Sequence, residues 1–334
     1  MTIALITGVT GQDGSYLAEY LLDIGYEVHG VVRLSSRASS TENLRGSATL
    51  SRSTPRFHLH VGDLLDRGFL SRLISDVRPD EVYNLASQSH VGHSFSIPTY
   101  TSQVNGSAVV DLLEIIRATG QPIRFYQASS SEMFGNAATE VQSEATPLRP
   151  QSPYAAAKAF AHASVEIYRS AYGLHASSGI LFNHESPRRS EEFVTRKVTK
   201  AVAEIVAGTR TSLALGNLDA SRDWGYAPEY VEMMHQMLQR NSPSDYVIAT
   251  GKSHTVRQLC ELAFSFVGLE WSSYVTSSPS LFRPSEVNVL AGDSSKAARD
   301  LNWLPRTEFR ELIAIMINAD LAALGVGDRV SITK

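Results

Sequence analysis

Short continuous apolar runs recur through the first half of the chain, and between them lie longer stretches with apolar residues three and four apart. Residues 3–7, 28–32, 57–61, 81–85 and 123–128 read as buried strands, and 16–22, 70–75 and 104–118 as helices. Strands that are apolar on both faces and alternate with helices belong to a parallel sheet covered on both sides. The expected fold class is therefore α/β: a doubly wound parallel sheet of Rossmann type. After about residue 181 the alternation loosens, and Pro- and Arg-bearing stretches at 186–189 and 281–286 separate short helices. That pattern predicts a smaller, mostly helical C-terminal lobe. The division expected is a first domain over 1–180, to which a segment near 219–250 returns, and a ligand-facing lobe over most of 181–334.

One segment breaks the pattern. Residues 35–55 are rich in Ser and Arg (Arg37, Arg45, Arg52), weakly periodic, and long for a connection inside a compact domain. They read either as a solvated loop or as a clasp on cofactor phosphate or on a neighbouring subunit.

Composition narrows the partners. A chain of 334 residues with 43% hydrophobic content buries a large core. With 30 basic and 34 acidic residues the formal net charge is −4, without the positive bias of a phosphate-backbone binder, so nucleic acid is not an expected partner. Cys260 is the sole cysteine, which excludes an internal disulfide and a cysteine-rich metal site and fits a reducing compartment. The chain opens on a strand-like run rather than a basic, then apolar, leader, and the apolar stretch at 312–324 is too short to span a bilayer. The expectations are a cytoplasmic protein with no membrane span and no metal.

The first strand runs directly into Gly8-Val-Thr-Gly11-Gln-Asp-Gly14, and a helix follows at once. Only in this strand–turn–helix context does such a glycine spacing carry weight. One glycine permits the tight turn, one lets backbone approach a pyrophosphate, and one lets helix and strand pack closely, while the helix N-terminus aims free N–H groups at the anion. The turn residues Gly8, Thr10, Gly11, Gln12, Asp13 and Gly14 are thus candidate dinucleotide contacts. An NAD enzyme usually carries an acidic residue at the end of the second strand, for the ribose hydroxyl. Here Arg33 stands there, which favours NADP. Asp63 and Leu64, after the third strand, are placed to reach the adenine.

Tyr154 and Lys158 lie four apart in an alanine-rich helical stretch, so their heads share one face. A free tyrosine is a poor base at neutral pH, and an adjacent ammonium stabilises its phenolate. Lys158 is therefore expected to tune Tyr154. Upstream, 128–132 place Ser129, Ser130, Ser131 and Glu132 at the C-terminal end of a strand, where ligands of such sheets bind. Ser130 is a candidate partner for the reacting oxygen.

These motifs resemble the extended short-chain dehydrogenase/reductase family, in T-G-x-T-G-x-x-G over 7–14, in Tyr154-x-x-x-Lys158 and in the serine stretch. More narrowly, the chain resembles the GDP-mannose 4,6-dehydratases, through 5–19, 152–158, 181–189, 193–197 and 222–225. The resemblance implies that Ser130 takes a place usually held by threonine, keeping the hydroxyl and losing a methyl. It implies that Glu132 is the acid/base, and that Tyr154 and Lys158 form the redox pair. It further implies that His184 and Arg189, with Leu85, Ala86, Ser87, Ser89 and Tyr100, contact the cofactor, together with Lys158. Asn183, Lys197, Arg222, Arg283 and Glu286 would form the nucleotide-sugar set, and a homodimer or homotetramer would be the assembly.

The reaction so implied takes hydrogen from C4 of GDP-mannose to C6 with loss of water, through transient oxidation at C4. Three other readings stand beside it: a dehydratase of a related GDP-sugar such as a GDP-manno-heptose, an epimerase or reductase that uses Tyr154 and Lys158 without Glu132, and a non-catalytic NADP-binding regulator.

Overall fold

The structure is a computed structural model that describes residues 1–34, 42–45, 47, 49–50 and 54–327. Most of the expected 35–55 loop, including the side chains of Arg37, Arg45 and Arg52, lies outside the described residues.

Seven strands form one parallel sheet: β1 (Ile3–Thr7), β2 (Glu27–Val32), β3 (Phe57–Val61), β4 (Glu81–Asn84), β5 (Arg124–Ser130), β6 (Ala176–Leu181) and, later in the chain, β10 (Tyr246–Ile248). Their spatial order is β10-β6-β5-β4-β1-β2-β3. The chain thus winds outward from β1 in both directions, which is the doubly wound topology expected. Alternate residues of one strand feed two cores. Ala4 and Ile6 meet Leu17 and Leu21 of α1 (Gln12–Asp23) and the methionines of α6 (Ala227–Gln239). Leu5 points the other way, into a core with Leu70 and Ile74 of α2 (Arg67–Val77), Leu112 and Ile116 of α3 (Ala108–Thr119) and Val165 of α4 (Pro153–Tyr172). Truncating any such fully buried leucine to alanine costs about 2–5 kcal/mol.

The stretch expected as a helix over 104–118 is helical throughout, a π-helical segment at Gln103–Ser107 running directly into α3. α4 starts cleanly: Ser152 accepts a hydrogen bond from the Ala155 amide and Pro153 opens the first turn. This cap sets where Tyr154 emerges.

One residue after β6 the chain leaves the large sheet and enters β7 (Asn183–Glu185). β7 pairs with β9 (Ser221–Tyr226), which pairs with β11 (Ser253–Thr255). β8 (Leu213–Leu215) pairs with β12 (Val275–Ser277), and α5 (Val194–Ala207), α7 (Val256–Ser265) and α8 (Phe309–Ala323) pack around a separate apolar cluster. The lobe expected to be mostly helical therefore carries two small sheets as well. Except for β9, these strands have three residues, too few to show a period of two, so the pattern could not reveal them. Cys260 sits fully buried in this cluster, and burial pushes its thiol up to about 12, leaving it protonated. Among the described residues no helix is long and apolar enough to cross a membrane.

Candidate active site

β1 pairs with β2 on one side and β4 on the other, so the strand order reverses beyond Thr7. At that switch point the C-terminal ends of β1 and β4 diverge and leave a crevice. The Thr7 hydroxyl donates to Asn84 at 2.7 Å and accepts from the amides of Leu85 and Ala86, which ties the two strand ends together. Gly8 follows with φ of +73°, and a Cβ there would stand 2.8 Å from the Ala86 nitrogen. A Cβ on Gly14 would lie 2.3 Å from the Gly8 carbonyl oxygen, so the first turn of α1 can sit on β1 only without it.

A cleft of about 310 Å³ opens over this turn. Its walls include every residue expected of the glycine motif (Gly8, Thr10, Gly11, Gln12, Asp13, Gly14) together with Arg33, Asp63, Leu64, Leu85, Ala86, Ser87, Ser89 and Tyr100. Arg33 donates to the Tyr100 hydroxyl at 2.9 Å, which holds the guanidinium at the cleft's rim. The crowding at Gly8 and Gly14 and the N-terminus of α1 at the cleft wall fit a bound dinucleotide.

A second cleft, of about 770 Å³, adjoins the first and shares Asp13, Leu85, Ser87, Ser89 and Arg189 with it. Ser130, Glu132, Tyr154, Lys158, Asn183, His184, Lys197, Arg222, Arg283 and Glu286 all line it. Residues far apart in sequence are thus brought to one space. β5 ends on Ser130, whose hydroxyl hydrogen-bonds Tyr154 and accepts the Glu132 amide at 3.3 Å. Glu132 faces Arg283 at 3.3 Å, and Glu286 pairs with Arg222 at 3.2 Å and Arg283 at 3.9 Å. Arg222 is 6% exposed, and burial lowers its pKa.

Tyr154 and Lys158 are both buried, and burial is the largest influence on each. The Tyr154 hydroxyl is pushed up to about 12: burial is the largest cause, the Glu132 charge adds to it, and the Ser130 hydrogen bond opposes it. Lys158 donates to the Ala128 carbonyl at 2.9 Å, and burial lowers its own pKa to about 8. Loss of water disfavours the charged form of each group, phenolate and ammonium alike.

Asp13 and His184 form a pair the sequence did not suggest. They lie 171 residues apart and meet at 2.8 Å, with the other His184 nitrogen 2.7 Å from the Phe182 carbonyl. Burial pushes the Asp13 carboxyl up, but the charge and hydrogen bond of His184, helped by Gln12 and Arg189, outweigh it and hold the group at about 2. For His184 burial pulls down, and Asp13 raises the net value. Gln12 donates to the His184 carbonyl at 3.0 Å and accepts from Ser186 at 2.8 Å, so the glycine turn is fastened to β7. The large cleft is walled also by His90, His93, Asn217 and Phe282, none of which was expected as a site residue. They come from loops and from a single helical turn at Val91–Ser94, too short for a spacing to mark them.

The fold and this pair of clefts define a dinucleotide-dependent enzyme of the short-chain dehydrogenase/reductase type. A structure of the dTDP-glucose 4,6-dehydratase DesIV from Streptomyces venezuelae, with NAD and TYD bound, superposes with a TM-score of 0.84 at 25% identity, covering 97% of this chain and 98% of that one. Residues 5–316 match the family model described as GDP-mannose 4,6 dehydratase. GDP-mannose 4,6 dehydratase 1 of Arabidopsis thaliana is 51% identical over 325 residues, covering 96% of this chain and 90% of the relative. The human GDP-mannose 4,6 dehydratase is 46% identical over 344 residues, covering 96% and 91%. The chain belongs to the GDP-mannose 4,6-dehydratase family.

Proposed function

We propose that this protein converts GDP-D-mannose to GDP-4-keto-6-deoxy-D-mannose and water, with NADP held in the smaller cleft. The observation that carries the reading is the placement of Glu132 beside Ser130 and Tyr154, in the cleft that adjoins the glycine turn. Oxidation and elimination can then act on one sugar without its release.

Ser130 hydrogen-bonds O4 of the hexose and Tyr154 takes its proton, with Lys158 behind them as the buried cation. The residues shared by the two clefts, Asp13, Leu85, Ser87, Ser89 and Arg189, would hold the cofactor beside Tyr154, and a nicotinamide held there would supply the hydride exchange that oxidation at C4 and reduction at C6 require. The C4 ketone acidifies C5–H, which Glu132 removes as base. The same carboxyl protonates the departing C6 hydroxyl. Two protons leave the sugar, from O4 and C5, and two are used, one to complete water and one to reprotonate C5, so the site ends as it began. Arg222, Arg283 and Lys197 supply charge for the two phosphates, the arginines as bidentate donors. Arg33 favours NADP over NAD. Asn183 and Glu286 would contact the nucleotide-sugar, and His184 and Arg189 the cofactor.

The test is incubation of purified protein with GDP-mannose and no added reductant. Formation of the 4-keto-6-deoxy product without net change in NADPH absorbance is expected. A net redox change, or C4 inversion alone, would overturn the reading in favour of a reductase or epimerase. Light scattering during size-exclusion chromatography tests the dimer or tetramer proposed for it.

A further inference from the structure

A separate cluster sits at the far edge of the large sheet. β2 and β3 pair in parallel with His29 opposite His58, and alternation along each strand puts Glu27 and His29, and likewise His58 and His60, on one face. The register thereby gathers one carboxylate and three imidazoles. Glu27 Oε1 lies 3.1 Å from His29 Nε2 and 3.2 Å from His58 Nε2, and the three ligand atoms all fall within 4.8 Å of one another. Two ligands each about 2.05 Å from a tetrahedral ion stand roughly 3.3 Å apart, so both contacts already have the spacing of a shared metal. The remaining His29 nitrogen, Nδ1, meets His60 Nε2 at 2.9 Å.

We propose that Glu27, His29 and His58 bind a divalent transition metal of the Zn²⁺ class, with His60 fixing the ring of His29. A hydrogen bond between Glu27 and one histidine would satisfy a single ring, whereas here one carboxylate oxygen faces two ring nitrogens. Nitrogen donors select zinc and its neighbours over Mg²⁺ and Ca²⁺, which prefer all-oxygen sets. His60 occupies the position of an orienting partner, accepting from the Nδ1–H of a ring whose Nε2 holds the ion. With three protein ligands the fourth position is left to water. β3 is the edge strand, and it runs on into Gly62, Asp63 and Leu64 at the wall of the smaller cleft. The ion would therefore clamp an edge strand, which has a single neighbour, close to the cofactor site.

The experiment uses the full chain, free of any polyhistidine tag and stripped with a chelator, titrated with Zn²⁺ against a chromogenic competitor. One Zn²⁺ per chain and a rise in melting temperature are expected, and Co²⁺ in its place should give the intense visible bands of a four-coordinate ion. His58→Gln and Glu27→Gln should each abolish stoichiometric binding, and His60→Gln should weaken it by roughly 10–100-fold. Circular dichroism of each variant confirms the fold. Absence of stoichiometric uptake by the parent protein, or uptake unchanged in folded His58→Gln and Glu27→Gln, would overturn the proposal.

Discussion

Lys158 offers a prediction in which stability and activity move in opposite directions. Its ammonium is 4% exposed, and burial lowers its pKa from 10.5 to about 8. At pH 7 the charged form must still be carried into the folded state, which costs about 3 kcal/mol relative to the unfolded chain. Replacement by methionine keeps most of the volume and removes that cost. Against it stands the lost hydrogen bond to the Ala128 carbonyl, which leaves a buried acceptor worth about 1–3 kcal/mol. Lys158→Met should therefore be level with the parent protein or more stable by up to about 2 kcal/mol at pH 7, while turnover falls by at least about 100-fold because the cation behind Tyr154 is gone. The sign follows from a folded-state pKa below the unfolded one. The penalty is fully present below about pH 8 and fades as pH rises toward 10.5. The parent should thus gain stability relative to the variant across that window. Urea unfolding of both proteins at pH 7 and at intervals up to pH 10 measures this. A variant distinctly less stable at pH 7, or a difference that does not change with pH, would refute the assignment of a buried, strained ammonium.

Other consequences can be checked more briefly. Glu132→Gln should lower product formation by about 10²–10⁴-fold while NADPH affinity stays at the parent value; near-parent dehydration would remove Glu132 from the acid/base role. Gly14→Ala places a methyl 2.3 Å from the Gly8 carbonyl oxygen and should abolish dinucleotide binding in a fluorescence titration, whereas retained binding would mean that the turn can shift. Arg33→Ser removes the cation at the end of β2 and should weaken NADPH relative to NADH by about 10–100-fold, the worth of a charge-assisted hydrogen bond of roughly 1.5–3 kcal/mol; an unchanged ratio of dissociation constants would place the extra phosphate elsewhere.

What could be read from the chain was local. The strand–glycine–helix unit at 3–23, the Tyr154–Lys158 spacing and the serines ending β5 each depend on neighbours within about one turn or one strand, and periodicity and propensity act over that range. The doubly wound class followed from the alternation of these units, and the GDP-mannose dehydratase resemblance from long motifs in order. The tertiary structure decided how distant groups meet. It set Asp13 against His184, buried Arg222 beside Glu286, and brought Arg283 to Glu132 across 151 residues. It also buried both Tyr154 and Lys158, and how much water each group loses depends on packing from distant parts of the chain. The histidines of β2 and β3 show the same limit: His29 is separated from His58 by 29 positions, and only the strand register makes them one cluster. Contacts of that kind are fixed by sheet order and by burial, and neither is written in local spacing.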